Sequence, residues 1–159
     1  MNGLILDRNG GGPFPNAYPA SEPERAEGKM PSIKILIVED NVLTRKMVRA
    51  VLLSEGYEVL EAKDGQTALA LTAAHAPHLI LQDLMLPDMD AAHLLRQLRA
   101  LPGCAAIPIL ACSTLYAQRE ESRAIEIGFD GYLPKPVSPS RLLGVLRLHL
   151  SCGPANQQT

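Results

Sequence analysis

The residues best suited to chemistry in this chain are two adjacent acids, a lone aspartate, a serine and a lysine. They are Glu39, Asp40, Asp83, Ser113 and Lys135, and each lies at or just after the end of a short apolar run. Such runs indicate buried β-strands. Because the carboxyl ends of parallel strands meet at one edge of a sheet, we expect these side chains to converge there. Together they could hold a magnesium ion and a phosphoryl group.

Each residue type suits a distinct part of that chemistry. Adjacent carboxylates repel each other unless a cation neutralises them, and Mg²⁺ prefers oxygen ligands. A carboxylate such as Asp83 can form an acyl phosphate once a divalent cation absorbs the charge of the incoming group. The hydroxyl of Ser113 could donate to a phosphoryl oxygen. Prolines on both sides of Lys135 restrict its backbone and could direct the ammonium group into the acid cluster.

The elements that must position these residues alternate regularly from Ser32 onward. Short apolar runs predict strands at 33–38, 57–61, 79–82, 107–112 and 132–134. Apolar residues at helical spacing predict helices at 44–55 and 91–101. N-caps at Asp64 and Ser138, and stops at Pro77 and Gly128, predict further helices at 65–75, 116–127 and 139–150. Strands that alternate with helices of this length indicate βαβ units and a parallel sheet covered on both faces.

Bulk composition narrows the classes of function. A chain of 159 residues with a net charge of -2 has no long block of like charges, which argues against direct nucleic-acid binding. No apolar run approaches the roughly 20 residues of a membrane span. The three cysteines form no CxxC pair and no disulfide framework, so we expect a reducing cytoplasm.

The composition also predicts the domain boundaries. Residues 1–31 are rich in Pro and Gly and are predicted to be a disordered N-terminal extension. Met30 is an alternative start, in which case the preceding residues would not be made. One domain is expected at 32–150, followed by a flexible tail at 151–159.

Several segments in sequence order resemble the receiver domains of bacterial two-component response regulators. The resemblance covers about residues 33–150 and is carried by segments 35–41, 56–59, 77–83, 86–90, 107–111 and 128–136. It implies a doubly wound, flavodoxin-like (βα)5 fold with strand order 2-1-3-4-5. It also implies that Asp83 accepts a phosphoryl group from a phosphohistidine on a sensor histidine kinase or a histidine phosphotransfer protein.

The same resemblance implies roles for the other site residues. The expected magnesium ligands are Glu39, Asp40, Asp83 and the backbone carbonyl of Met85. Ser113 and Tyr132 are the expected switch pair, in which the hydroxyl moves toward the phosphoryl group and the ring follows. Lys135 would bind the phosphoryl group, and its bond to Pro136 is expected to be cis.

Four residues differ from the usual pattern of the family, of which Ser113 is a permitted variant of the commoner Thr. Ala91 replaces a usual glycine, which is tolerable if its φ is negative. Gln82 is polar at a normally apolar strand position and needs a hydrogen-bond partner if it is buried. Thr114 replaces a small residue beside the phosphoryl pocket, where its bulk could slow small phosphodonors.

The first predicted helix also suggests a docking surface. We expect the rim that receives a helical phosphodonor to consist of Val42, Thr44, Met47 and Val137. The same helix carries three basic residues with only Glu55 opposing them, and we interpret these charges as a solvated face.

The favoured function is that of a stand-alone receiver that signals by phosphorylation-dependent binding of an unidentified downstream protein. It would catalyse only its own phosphorylation and dephosphorylation. A degenerate receiver that acts as a phosphorylation-independent scaffold is the main alternative. An aspartate-nucleophile phosphatase would need a second Asp two residues after the nucleophile, on the first strand. A flavodoxin-like electron carrier would need a phosphate-binding loop where Glu39 and Asp40 lie.

Overall fold

A computed structural model of the protein describes residues 32–114 and 117–151. The predictions for the N-terminal extension, the alternative start at Met30 and all but the first residue of the tail lie outside these residues. Within 32–114 and 117–151, every helix is too short or too polar to cross a bilayer.

Five strands and five helices alternate along the described chain. The strands are β1 (Lys34–Val38), β2 (Glu58–Ala62), β3 (Leu79–Asp83), β4 (Ile109–Ser113) and β5 (Gly131–Pro134). The helices are α1 (Val42–Ser54), α2 (Gly65–His75), α3 (Ala91–Ala100), α4 (Ala117–Ile127) and α5 (Pro139–Ser151). All neighbouring strands are parallel and the order is β2-β1-β3-β4-β5, which confirms the predicted fold class.

Helices pack on both faces of the sheet, which is therefore the middle of three layers. Successive side chains of each strand point to opposite faces and so enter two separate cores. On one face, Leu36 and Ile80 pack with residues of α2, α3 and α4. On the other, Ile35 and Leu79 pack with residues of α1 and α5. All four side chains are fully buried, as expected of central strands covered on both sides.

Side-chain caps define the starts of the helices. Asp64 accepts from the Thr67 N–H at 2.8 Å, as predicted. Ser138 accepts from the Arg141 N–H at 3.3 Å, also as predicted. Helix α1 begins two residues earlier than expected, because Asn41 caps it by accepting from the Thr44 N–H at 2.9 Å. That earlier start shortens the loop that follows β1 and carries the two acids.

Candidate functional site

The carboxyl edge of the sheet brings the predicted site residues together. Asp83 and Ser113 are the last residues of β3 and β4, and Glu39 and Lys135 directly follow β1 and β5. Register keeps these ends level, since Asp83 lies opposite Cys112 and Ser113 lies opposite Pro134. The Lys135 N–H also donates to the Ser113 carbonyl at 2.8 Å, which extends the ladder between these strands to the site.

The Lys135 ammonium group lies between two buried carboxylates. It is 3.0 Å from Asp83 Oδ2 and also contacts Glu39 Oε2. The Lys135 side chain is 11% exposed, and those of Glu39 and Asp83 are 5% and 6% exposed. One positive charge therefore offsets part of the repulsion between two carboxylates that are shielded from water.

The electrostatic effects on these groups follow from burial and from this contact. Burial raises the pKa of the Glu39 carboxyl, although hydrogen bonds with Lys135 and with the Asn41 N–H oppose the shift. Burial by itself lowers the pKa of Lys135, but hydrogen bonds to Glu39 and Asp83 outweigh it, so the net pKa is raised. The ammonium group is therefore charged at neutral pH.

The acids of the cluster fit a magnesium ion. One carboxylate oxygen each from Glu39, Asp40 and Asp83 lie within 4.8 Å of one another. Asp40 is exposed whereas the other two are buried, so the cluster opens to water on the Asp40 side. An all-oxygen donor set that is open on one side suits Mg²⁺, which retains several waters.

The loop after β3 approaches the same cluster. The Met85 N–H donates to Asp83 Oδ1 at 3.0 Å, while the Met85 side chain is 66% exposed. This hydrogen bond fixes the orientation of the Asp83 carboxyl group next to the residue whose carbonyl is the predicted fourth ligand. The role of that carbonyl stays a prediction.

The expected switch pair lies behind the acids. Ser113 is 1% exposed, and the buried Tyr132 ring directs its hydroxyl toward the Ser113 carbonyl, to which it donates at 3.5 Å. Burial raises the pKa of Tyr132, with a hydrogen bond to Ser113 opposing the shift. Both residues are therefore in contact, with the ring turned inward.

Several smaller expectations are also resolved. The Lys135–Pro136 bond is cis. Gln82 is fully buried, and its Nε2 donates to the Ala91 carbonyl at 3.0 Å, which supplies the partner it needs. Ala91 begins α3 with a negative φ, so its methyl group causes no backbone strain. Thr114 is exposed beside the site.

The structure divides the predicted docking rim into two groups. Val42 and Met47 are 50% and 36% exposed, and Thr44 is half-buried beside the pocket. Val137 is only 6% exposed and belongs to the core between the sheet, α1 and α5. Its inclusion in the rim is therefore corrected, because a buried side chain offers no surface for docking.

Arg45 is a site residue that the sequence analysis did not identify. Its guanidinium group donates to the Glu39 carbonyl at 2.8 Å and pairs with Glu61 at 3.2 Å. Arg49 pairs with the same glutamate, whereas Glu55 pairs with Arg147 of α5. Lys46 and Arg49 are exposed, as the interpretation of a solvated face expected, but the opposing acid is Glu61 on the neighbouring β2 and Arg45 is half-buried.

Comparisons with curated proteins agree with this architecture. A family model of the response regulator receiver domain matches residues 35–147. The polar-differentiation response regulator DivK of Brucella anthropi is 31% identical over 116 residues. That alignment covers 73% of this chain and 94% of the relative.

Solved structures of similar fold include a chemotaxis regulator and part of a kinase. The chemotaxis response regulator CheY4 of Vibrio cholerae is 31% identical with a TM-score of 0.70, and the match covers 76% of this chain and 100% of that one. The receiver domain of a sensor histidine kinase from Pseudomonas aeruginosa, solved with a magnesium ion coordinated in its active site cleft, is 29% identical with a TM-score of 0.70. That match covers 76% and 99% of the two chains. Since the matched region 35–147 contains every strand end that forms the site, this chain belongs to the family of response regulator receiver domains.

Proposed function

We propose that this protein accepts a phosphoryl group on Asp83 from the phosphohistidine of a sensor histidine kinase or a histidine phosphotransfer protein. It then signals in the cytoplasm by phosphorylation-dependent binding of a downstream protein. The observation that supports this most strongly is the ammonium group of Lys135 held between the buried carboxylates of Glu39 and Asp83. The phosphatase alternative fits poorly, since Asp83 ends the third strand and not the first.

The proposed transfer follows from the contacts of Asp83. Its Oδ1 is held by the Met85 N–H, and its Oδ2 faces Lys135. A carboxylate oxygen attacks phosphorus, the P–N bond of the phosphohistidine breaks, and the leaving imidazole nitrogen keeps the electron pair and takes up a proton. Lys135 then stabilises the negative charge of the transferred group. A magnesium ion held by Glu39, Asp40, Asp83 and the Met85 carbonyl would supply further positive charge there.

The contact between Ser113 and Tyr132 supports the proposed response. Donation of the Ser113 hydroxyl to a phosphoryl oxygen would free space behind it, and the Tyr132 ring would follow. Because Tyr132 belongs to β5, this motion would alter the surface made by α4, β5 and α5. Phosphorylation would thereby favour one of two conformations of that surface.

Transfer from a donor protein tests the proposal directly. A radiolabelled phosphohistidine domain is mixed with the natural protein and with the Asp83→Asn variant in the presence of Mg²⁺. We expect label on the natural protein only, and we expect hydroxylamine to release it as an acyl phosphate. Label on neither protein from any phosphohistidine donor would contradict the proposal and favour the phosphorylation-independent scaffold.

The exposed part of the docking rim yields a second prediction. Met47→Glu places a charge where Val42 and Met47 expose apolar surface on α1, the helix whose Thr44 lines the pocket. We expect transfer from the phosphohistidine domain to slow by about tenfold, as for a charge in a small apolar interface, while phosphorylation by acetyl phosphate is unchanged. Ile125→Glu, on the exposed side of α4, is the matched control and should transfer normally. Equal loss with both donors would refute the docking surface.

A further inference from the structure

The loop between β3 and α3, residues 84–90, is fastened at both of its ends. At the start, the Leu84 N–H donates to the Cys112 carbonyl at 3.0 Å. At the end, Asp90 caps α3 by accepting from the N–H groups of Ala92 and His93 at 3.1 and 3.2 Å. Between these points lies Met85, whose carbonyl is the predicted magnesium ligand. The contacts that hold the middle of the loop therefore affect the position of this predicted ligand.

The middle of the loop is held by Asp88 against a different helix. Its Oδ1 accepts from the Gly65 N–H at 2.9 Å and its Oδ2 accepts from the Gln66 N–H at 3.0 Å. These N–H groups belong to the first turn of α2 and have no partner within the helix. A carboxylate there is also favoured by the helix dipole. Asp88 thus binds α2 through both of its oxygens.

The neighbouring residue closes the contact by packing. Met89 lies so near to Gly65 that a Cβ on Gly65 would be 2.6 Å from the Met89 sulfur. The absence of a side chain at Gly65 lets the loop approach the helix backbone to hydrogen-bonding distance. The loop is therefore held on α2 by the hydrogen bonds of Asp88 and by the packing of Met89.

We propose that Asp88 is a positioning residue, which latches the loop to α2 and so keeps the backbone at Met85 directed toward the acid cluster. Only Leu86 and Pro87 separate Met85 from Asp88, and the fixed φ of proline restricts the backbone between them. Asp88 itself is three residues away from the predicted ligand and acts only through the loop. This inference rests on the proposed function, because it concerns the magnesium site of that function.

Three variants separate positioning from simple helix capping. Asp88→Ala removes both acceptors of the latch, and Asp88→Asn retains one of them. Asp64→Ala is the matched control, since Asp64 caps the same helix through the Thr67 N–H and belongs to no part of the loop. For each variant, Mg²⁺ affinity is measured by NMR titration of backbone amides, and hydrogen exchange of peptides from 84–90 is measured without Mg²⁺.

We expect Asp88→Ala to weaken Mg²⁺ binding about tenfold, as for other residues that orient metal ligands indirectly. We also expect it to speed exchange in the loop, with Asp88→Asn intermediate and Asp64→Ala equal to the natural protein in both measurements. Natural Mg²⁺ affinity in Asp88→Ala, or equal losses in Asp64→Ala, would overturn the positioning role alone. Absence of Mg²⁺ binding by the natural protein would instead overturn the proposed function.

Discussion

The charge balance of the pocket depends on Lys135, whose ammonium group contacts the buried carboxylates of Glu39 and Asp83. Removing one partner of a buried ion pair leaves an uncompensated charge, which costs far more than losing an exposed pair. Here the loss would leave two carboxylates facing each other. A divalent cation at the same acids would relieve their repulsion.

Lys135→Ala is therefore expected to destabilise the fold in a Mg²⁺-dependent way. We expect the free energy of unfolding to fall by about 3 kcal/mol in EDTA, and by less in saturating Mg²⁺. Urea unfolding under both conditions measures the difference. Lys46→Ala, which removes an exposed lysine of α1, should change stability little in either buffer. A Lys135 variant as stable as the Lys46 variant in EDTA would contradict this account of the pocket.

Spacing along the sequence predicted the acids, the serine and the lysine because each is fixed by its place at a strand end. Arg45 and Asp88 were not predicted to contact the site or its loop. Arg45 reaches the Glu39 carbonyl six residues away but also pairs with Glu61, 16 residues away on β2, and Asp88 contacts Gly65, 23 residues away on α2. These contacts depend on how the helices pack on the sheet. The local pattern of apolar and polar residues in the sequence does not specify that packing.

At the scale of elements, the end of α4 requires a glycine at position 128 because the backbone there has a positive φ. The Gly128 N–H donates to the Ile125 carbonyl at 3.1 Å and the Phe129 N–H donates to the Ala124 carbonyl at 3.0 Å. This is the Schellman arrangement, which needs a residue of positive φ after the helix. Gly128 has a φ of 124°, a conformation that residues with side chains rarely adopt. The start of β5 follows directly from this turn.

Two glycine substitutions should have opposite effects. Gly128→Ala is expected to lower the free energy of unfolding by about 1–3 kcal/mol because of the backbone strain. Gly144→Ala should raise it by about 0.5–1 kcal/mol, since Gly144 lies inside α5 and an added methyl group there would meet open space. Chemical denaturation of both variants measures the two values. Destabilisation by Gly144→Ala would show that the surroundings of this residue in α5 are tightly packed.

Element order was predictable because apolar runs mark the strands, while helical spacing, N-caps and stop residues such as Pro77 and Gly128 mark the helices. Side-chain burial at the junctions was less predictable, as Val137 shows. Val137 precedes the N-cap Ser138, and its side chain belongs to the same buried cluster as Leu142, in the first turns of α5. A residue before the cap that packs against the fourth helical residue forms a hydrophobic staple. The sequence analysis placed Val137 in the docking rim, whereas the staple directs its side chain into the core.

At the scale of the whole molecule, all the strands and helices that the structure describes lie C-terminal to Met30. The first strand begins at Lys34, and its partners β2 and β3 lie within 58–83. A chain that starts at Met30 should therefore unfold at the same denaturant concentration as the full chain, and with the same slope. Parallel urea titrations measure both. A lower midpoint for the shorter chain would contradict this prediction.

The central claim is that Asp83 is the phosphoacceptor of this receiver domain. Intact-mass analysis after incubation with acetyl phosphate and Mg²⁺, alongside the Asp83→Asn variant, tests it most directly. We predict a single phosphoryl adduct on the natural protein, loss of the adduct in EDTA, and none on the variant. An adduct of equal yield on the Asp83→Asn variant would contradict the claim, because the phosphoryl group would then lie elsewhere.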